Sequence, residues 1–133
     1  MIVVDTSVWV EAIRRPKGTT QFTLRQLIDA DEVGLALPVR IELIAGIARK
    51  DRRAFVRALS GLSILVPTEE TWRLIEPWVA PAADKRHRFG VTDLLIAGLA
   101  HEAGALVWSL DADFDRLESL GLVQTYSASA ITG

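Results

Sequence analysis

Several acidic residues interrupt apolar stretches of this sequence at positions where a hydrophobic core does not need them. They are Asp5, Glu42, Asp93, Asp111 and Asp113. The first follows three β-branched residues, the second lies between two aliphatic residues, and the third opens the most apolar helix that we predict. The last two follow another apolar stretch, residues 106–110. Taken singly, each position is also typical of a helix cap, a solvated helix face or a turn.

The chemistry of these residues changes if they meet in the folded chain. Carboxylates about 4 Å apart repel each other by roughly 4 kcal/mol per pair at an intermediate dielectric. A cluster of them therefore needs a compensating cation, and hard divalent ions prefer oxygen ligands. The chain has no cysteine and two histidines, so we expect Mg²⁺ or Mn²⁺. Such ions activate water and stabilise charge on a phosphodiester under in-line attack, which predicts metal-dependent phosphodiester hydrolysis.

Short apolar strands alternate with helices along the chain, and this pattern predicts an α/β fold with a mainly parallel sheet. We predict strands at residues 2–4, 34–37, 63–66, 105–108 and 122–124. We predict helices at 6–15, capped by Thr6 or Ser7, at 20–30, from Pro38 onward, and at 52–59, 68–79, 92–103 and 115–120, with a polar loop over 81–90. Parallel strands end at one edge of the sheet, so we expect the acids to meet there.

Length and composition limit the class of protein. A chain of 133 residues is typical of one domain. Its 15 basic and 17 acidic residues give a net charge of −2, which does not support a wholesale electrostatic nucleic-acid binder. The longest apolar run has seven residues, at 94–100, whereas a membrane span needs about 20. The N-terminus lacks the basic region of a signal peptide, so we expect a single cytoplasmic domain spanning residues 1–133.

Four motifs carry a resemblance to a known family. They are Val4-Asp5-Thr6-Ser7-Val8, Arg40-Ile41-Glu42-Leu43, Thr92-Asp93-Leu94-Leu95-Ile96-Ala97 and Ser109-Leu110-Asp111-Ala112-Asp113-Phe114. In this order and at these intervals they resemble the PIN-domain ribonucleases, and among these the VapC-type toxins of bacterial toxin–antitoxin pairs. The resemblance covers essentially the whole chain. It implies an α/β/α sandwich around a mainly parallel sheet, a homodimer, and inhibition by a VapB-like antitoxin whose C-terminal segment lies in the active groove.

The resemblance also implies roles for individual residues. The implied catalytic residues are Asp5, Glu42, Asp93 and Asp111. The implied metal ligands are Asp5, Asp93 and Asp111, with Asp113 as a further acid of the last motif and Glu42 in the inner or outer coordination sphere. The implied supporting hydroxyl groups are those of Thr6, Ser7 and Ser109. The implied reaction is the hydrolysis of single-stranded or loop RNA to leave a 5′-phosphate.

Two basic clusters, residues 49–53 and 85–88, are candidates for contacts with RNA phosphates. The second cluster immediately precedes the Asp93 helix, so we expect Lys85, Arg86 and Arg88 to make these contacts. Solvated loop charge is an equally good interpretation of either cluster.

Three other functions fit parts of the sequence. A phosphotransferase of the haloacid dehalogenase type also begins with an Asp at a strand end, but it needs a second Asp two residues later, where this chain has Ser7. A processing nuclease of the same fold that has no antitoxin stays open. So does a non-catalytic PIN-like module that only binds RNA or a protein partner, although such a module would tolerate the loss of acids that this sequence keeps.

Overall fold

A four-stranded, all-parallel sheet runs through the centre of the computed structural model, which describes residues 1–84 and 88–127. The strands are β1 (Ile2–Val4), β2 (Val33–Ala36), β3 (Ser63–Leu65) and β4 (Leu106–Trp108), in the spatial order β3-β2-β1-β4. Val3 of β1 lies opposite Gly34 on one side and Val107 on the other. The predicted α/β fold with a parallel sheet is confirmed.

Helices connect the strands and flank the sheet. They are α1 (Thr6–Arg14), α2 (Thr19–Asp29), α3 (Leu37–Gly46), α4 (Arg52–Leu59), α5 (Glu69–Ile75), α6 (Val79–Asp84), α7 (Val91–Ala103) and α8 (Ala112–Ser119), with single 3₁₀ turns at Arg49–Asp51 and Glu76–Trp78. Helix α7 packs against β1 and β4 as well as against α3, α5 and α8. Its residues 94–100 are all buried, as expected for the most apolar helix of the sequence. It ends at Gly104, whose φ of 63° provides a left-handed C-cap.

The beginnings of two helices differ from the prediction. Helix α1 is capped by Asp5, whose side chain accepts a hydrogen bond from the Ser7 backbone N–H, so the prediction that Thr6 or Ser7 caps it was wrong. Helix α8 begins at Ala112, because the Asp111 side chain caps it by accepting from the Asp113 backbone N–H. The sequence predicts that this helix begins three residues later, at residue 115. In both places a candidate site acid also provides the cap.

Two further segments differ from the prediction. Residues 79–84 form α6, where a polar loop was expected from residue 81. Pro81 is tolerated there because the first turn of a helix leaves its N–H groups without helical partners. The predicted strand at 122–124 is reduced to a single parallel bridge between Thr125 and Val107. Val107 forms both backbone hydrogen bonds of this bridge, donating to the Gln124 carbonyl at 2.9 Å and accepting from the Tyr126 N–H at 2.8 Å.

Within residues 1–84 and 88–127, every helix is too short or too polar to cross a membrane.

Helices α5 and α7 pack closely at one glycine. A Cβ atom at Gly98 of α7 would lie 2.5 Å from Cγ2 of Ile75 and 3.4 Å from Cγ2 of Thr71. Ile75 and Thr71 are both buried and β-branched, so neither side chain can move aside easily. The Thr71 hydroxyl also donates to Oε1 of Glu102 at 2.6 Å, which ties α5 to the same face of α7.

We therefore expect Gly98→Ala to destabilise the protein. The overlap with Ile75 should cost about 1–3 kcal/mol, and the higher helix propensity of alanine recovers at most about 1 kcal/mol of it. Gly46→Ala is the matched control, because a Cβ there meets no atom within 4 Å, and it should be neutral or slightly stabilising. Urea unfolding of both variants measures the difference, and equal midpoints would contradict the close packing of α5 and α7.

Candidate metal-dependent active site

The fold brings the candidate acids to one edge of the sheet. Asp5 follows β1, and Asp111 follows β4 after two intervening residues. Because β1 and β4 are parallel neighbours, their carboxyl ends lie side by side. Helix α3 starts directly after β2 and carries Glu42, while Asp93 lies in the first turn of α7. Since α7 leads into the amino end of β4, its first turn lies at the opposite, carboxyl edge.

Asp5 is the most rigidly held of these acids. It is only 6% exposed, and its Oδ2 accepts hydrogen bonds from the hydroxyl groups of Ser7 at 2.7 Å and Ser109 at 2.8 Å. The Ser7 backbone N–H adds a longer contact of 3.4 Å. In the part of the chain that the structure describes, the hydrogen bonds to this carboxylate all reach Oδ2. The Oδ1 atom is therefore the oxygen left for a cation.

The two serines connect β1 to the loop after β4. The Ser7 Oγ accepts from the Leu110 backbone N–H at 3.0 Å, and the Ser109 Oγ accepts from the Asp111 N–H at 2.9 Å. Each hydroxyl has one proton, and donation to Asp5 uses it. The directions of these four hydrogen bonds are consequently determined, and the Asp111 backbone is held to the Asp5 carboxylate through the Ser109 side chain. Of the three hydroxyl groups that the resemblance implies, those of Ser7 and Ser109 contact Asp5 directly.

Three carboxylates lie close enough together to share an ion. Asp93, Asp111 and Asp113 each offer one oxygen, and these oxygens all lie within 4.8 Å of one another. Ligands that share an octahedral Mg²⁺ are separated by about 3–4 Å, so small side-chain adjustments would complete such a site. The set consists of anionic oxygens only, which fits a hard divalent cation and fits soft metals poorly. Asp5 and Glu42 lie outside this closest group.

Electrostatic interactions nevertheless join all five acids. Burial, as the largest cause, and then the negative charges of Asp5, Asp111, Asp113 and Glu42, in that order, together raise the pKa of Asp93 to about 6. A carboxyl group with this pKa is one that its neighbours make reluctant to ionise. A bound cation would relieve the same repulsion.

Glu42 and Thr6 lie at the exposed side of the site. The Thr6 hydroxyl donates to Oε1 of Glu42 over 3.3 Å, which is a weak contact between α1 and α3. Thr6 therefore contacts Glu42 rather than Asp5, whereas Ser7 takes the position beside Asp5. Of the predicted RNA contacts, Arg88 is exposed near the start of α7, and Lys85 and Arg86 lie outside the described residues.

Sequence reasoning missed one cation at the site. Arg116 of α8 forms an ion pair with Asp113, with 2.6 Å between Nη1 and Oδ1. The signal was available, because residues three apart on a helix lie on the same face. The guanidinium group offsets part of the negative charge of the cluster at its outer side.

A parallel sheet with a cluster of carboxylates at its carboxyl edge is an arrangement that could hold a divalent cation. The model of the PIN domain matches residues 2–120 of this chain. The chain is also 30% identical over 122 residues to ribonuclease VapC18 of Mycobacterium tuberculosis, a match that covers 88% of this chain and 87% of that protein. The chain belongs to the PIN-domain family, and within it to the group of the VapC ribonucleases.

Another relative supports this assignment, and two solved structures share the fold. VapC ribonuclease Mb1587 of Mycobacterium bovis is 27% identical over 132 residues, which covers 96% of this chain and 98% of that protein. The fold is similar to VapBC2 from Rickettsia felis bound to a promoter DNA fragment, with a TM-score of 0.75, 20% identity and coverage of 95% and 98%. It is likewise similar to DNA-bound VapBC from Salmonella typhimurium, with a TM-score of 0.77, 21% identity and coverage of 94% and 96%.

The raised pKa of Asp93 predicts a pH-dependent stability for the metal-free protein. Because the folded-state pKa of about 6 lies above the ordinary 3.8, the folded protein should lose stability as the pH rises between about 4 and 6. Asp93→Asn should remove this loss and stabilise the protein by about 1 kcal/mol at pH 7.5, since the group is only half-buried. Thermal unfolding in EDTA between pH 4 and 8 measures it, with Asp29→Asn on α2 as the control. A destabilised Asp93→Asn variant at pH 7.5 would contradict the charge repulsion.

Removing one hydroxyl beside Asp5 should weaken the site. Ser109→Ala deletes the bonds to the Asp5 carboxylate and to the Asp111 N–H together. We expect a loss of about 1–2 kcal/mol of stability and a roughly ten-fold weaker affinity for Mn²⁺ in a titration calorimeter. Ser60→Ala is the control, because its exposed hydroxyl donates only to the Val56 carbonyl on α4. Equal Mn²⁺ affinities of the two variants would argue against the anchoring role.

Proposed function

We propose that this protein is a metal-dependent endoribonuclease that acts as the toxin of a toxin–antitoxin pair. The observation that carries the proposal is the grouping of Asp93, Asp111 and Asp113 within 4.8 Å, beside an Asp5 carboxylate held by two hydroxyl groups. The similarity to ribonuclease VapC18 supports RNA as the substrate. The family resemblance supports hydrolysis at an acidic metal site.

Mg²⁺ or Mn²⁺ is the proposed ion, because every donor in the site is a hard oxygen. Asp93, Asp111 and Asp113 would hold it, with Oδ1 of Asp5 as the fourth protein oxygen. When bound, such an ion supplies Lewis-acid stabilisation of the phosphate and activation of water. Glu42 would act from the exposed side, where its carboxylate can accept a proton or orient a water molecule.

The chain's own residues prepare this chemistry. Ser7 and Ser109 hold the Asp5 carboxylate in one orientation, so little reorganisation is needed when substrate arrives. Arg116 keeps Asp113 partly neutralised. We propose Arg88 as a phosphate contact, because it is exposed and lies five residues before Asp93. Lys85 and Arg86 stay predictions from the sequence alone.

We also propose a VapB-like antitoxin and a second copy of this chain as partners. The similar solved structures from Rickettsia felis and Salmonella typhimurium are both VapBC complexes, which supports the antitoxin. An apolar cavity of about 330 Å³ between α1, α2 and α4 offers a protein partner a place for side chains. Its lining includes Ile13, which is 49% exposed. The homodimer rests on the family resemblance.

Incubation of the antitoxin-free protein with total RNA tests the proposed reaction. With Mg²⁺ or Mn²⁺ we expect discrete cleavage products with 5′-phosphate ends, and none in EDTA. Asp93→Asn should lower the rate at least about 100-fold, because it removes a charged ligand from the centre of the cluster. Asp29→Asn should cut like the wild type. Cleavage that persists in EDTA or in Asp93→Asn would place the reaction elsewhere, and folded protein that binds RNA without cutting it would favour a binding module.

A further inference from the structure

A second cavity opens at the same edge of the sheet as the acidic cluster. Its volume is about 320 Å³, which lies within the range of sites for small organic ligands. It lies beside β4 on the side away from β1, where the segment after the Thr125 bridge follows the strand. The residues that line it and carry the argument are Trp108, Ser109, Leu110, Asp115, Thr125 and Tyr126.

The cavity and the acidic site share a wall. Ser109 lines the cavity, and its Oγ donates to Oδ2 of Asp5 at 2.8 Å. The next residue, Leu110, bonds through its backbone N–H to the hydroxyl of Ser7, yet its side chain is 54% exposed. A strand of RNA with a phosphate over the acids would therefore carry a neighbouring nucleotide past this cavity.

The lining suits a flat ring better than a phosphate. Trp108 is only 4% exposed and packs edge to face against Tyr126, with ring centroids 5.5 Å apart. The accessible apolar surface is therefore that of the half-buried Tyr126 and the exposed Leu110. The residues that line the cavity, all of them described, include the carboxylate of Asp115 and no cation. Single-stranded RNA is read in this way, through unstacked bases held against aromatic groups. We infer that this cavity binds a nucleobase next to the scissile phosphate, an inference that rests on the RNA substrate of the proposed function.

Hydrogen bonding selects among the bases. The Asp115 carboxylate only accepts, and the Thr125 hydroxyl is left as an acceptor because its proton goes to Oε2 of Glu118 at 2.8 Å. Two acceptors favour a base edge with adjacent N–H donors. Guanine has such an edge in N1–H and the N2 amino group, whereas uracil has a single N–H between two carbonyl groups. The cavity should therefore prefer guanine.

Free nucleosides test the cavity without any metal, because they carry no phosphate to be repelled by the acids. We would titrate guanosine, adenosine, cytidine and uridine into the protein in EDTA and follow the indole N–H of Trp108 by NMR. Guanosine should bind most tightly and uridine most weakly. Asp115→Asn should weaken guanosine binding about ten-fold or more, with uridine binding little changed. Asp29→Asn, an exposed carboxylate on α2, should bind guanosine like the wild type.

The outcomes separate this inference from the proposed function. Guanosine binding in a protein that cuts no RNA would keep the base site and overturn the nuclease. RNA cleavage without a base preference next to the cut, unchanged in Asp115→Asn, would keep the nuclease and overturn the base site. The inference is equally overturned if no nucleoside shifts the Trp108 signal. It is also overturned if a structure of a complex shows a protein partner in the cavity.

Discussion

Repulsion between carboxylates at one sheet edge is the constraint on which the rest of this structure depends. Burial and four neighbouring acids raise the pKa of Asp93 to about 6. Hydrogen bonds and one ion pair from the surrounding residues offset part of this negative charge. Asp5 is held by two serine hydroxyl groups, and Arg116 pairs with Asp113 on the outer side. The part left uncompensated is the part that a divalent cation would balance.

Short strands are enough to hold such a site because a buried helix supports them. The strands have only three or four residues, and α7 packs on β1 and β4 while it carries Asp93 in its first turn. Its close approach to α5 requires a glycine at residue 98. The buried apolar residues of α7 therefore fix the helix against the sheet, and this packing places Asp93 at the carboxyl edge of the sheet.

The loop after β4 has two roles at once. Ser109 and Leu110 fasten this loop to β1 through Asp5 and Ser7, and they also form a wall of the cavity beside Trp108 and Tyr126. A site for the scissile phosphate and a site for a neighbouring base would then share the same rigid backbone. Such sharing couples the position of the cut to the identity of the base, since neither part can shift alone.

The sequence by itself determined the class of fold and predicted the acids of the candidate site. Strand and helix periods are local, so β1, β4 and α7 could be predicted, and the spacing of the four motifs identified the family. Which oxygens meet was decided only by the tertiary structure. The grouping of Asp93 with Asp111 and Asp113, the hold of Ser109 on Asp5 across 104 positions, and the reduction of the last strand to one bridge depend on contacts between distant segments. These distances cannot be predicted from local sequence patterns, because they depend on the packing of the whole core.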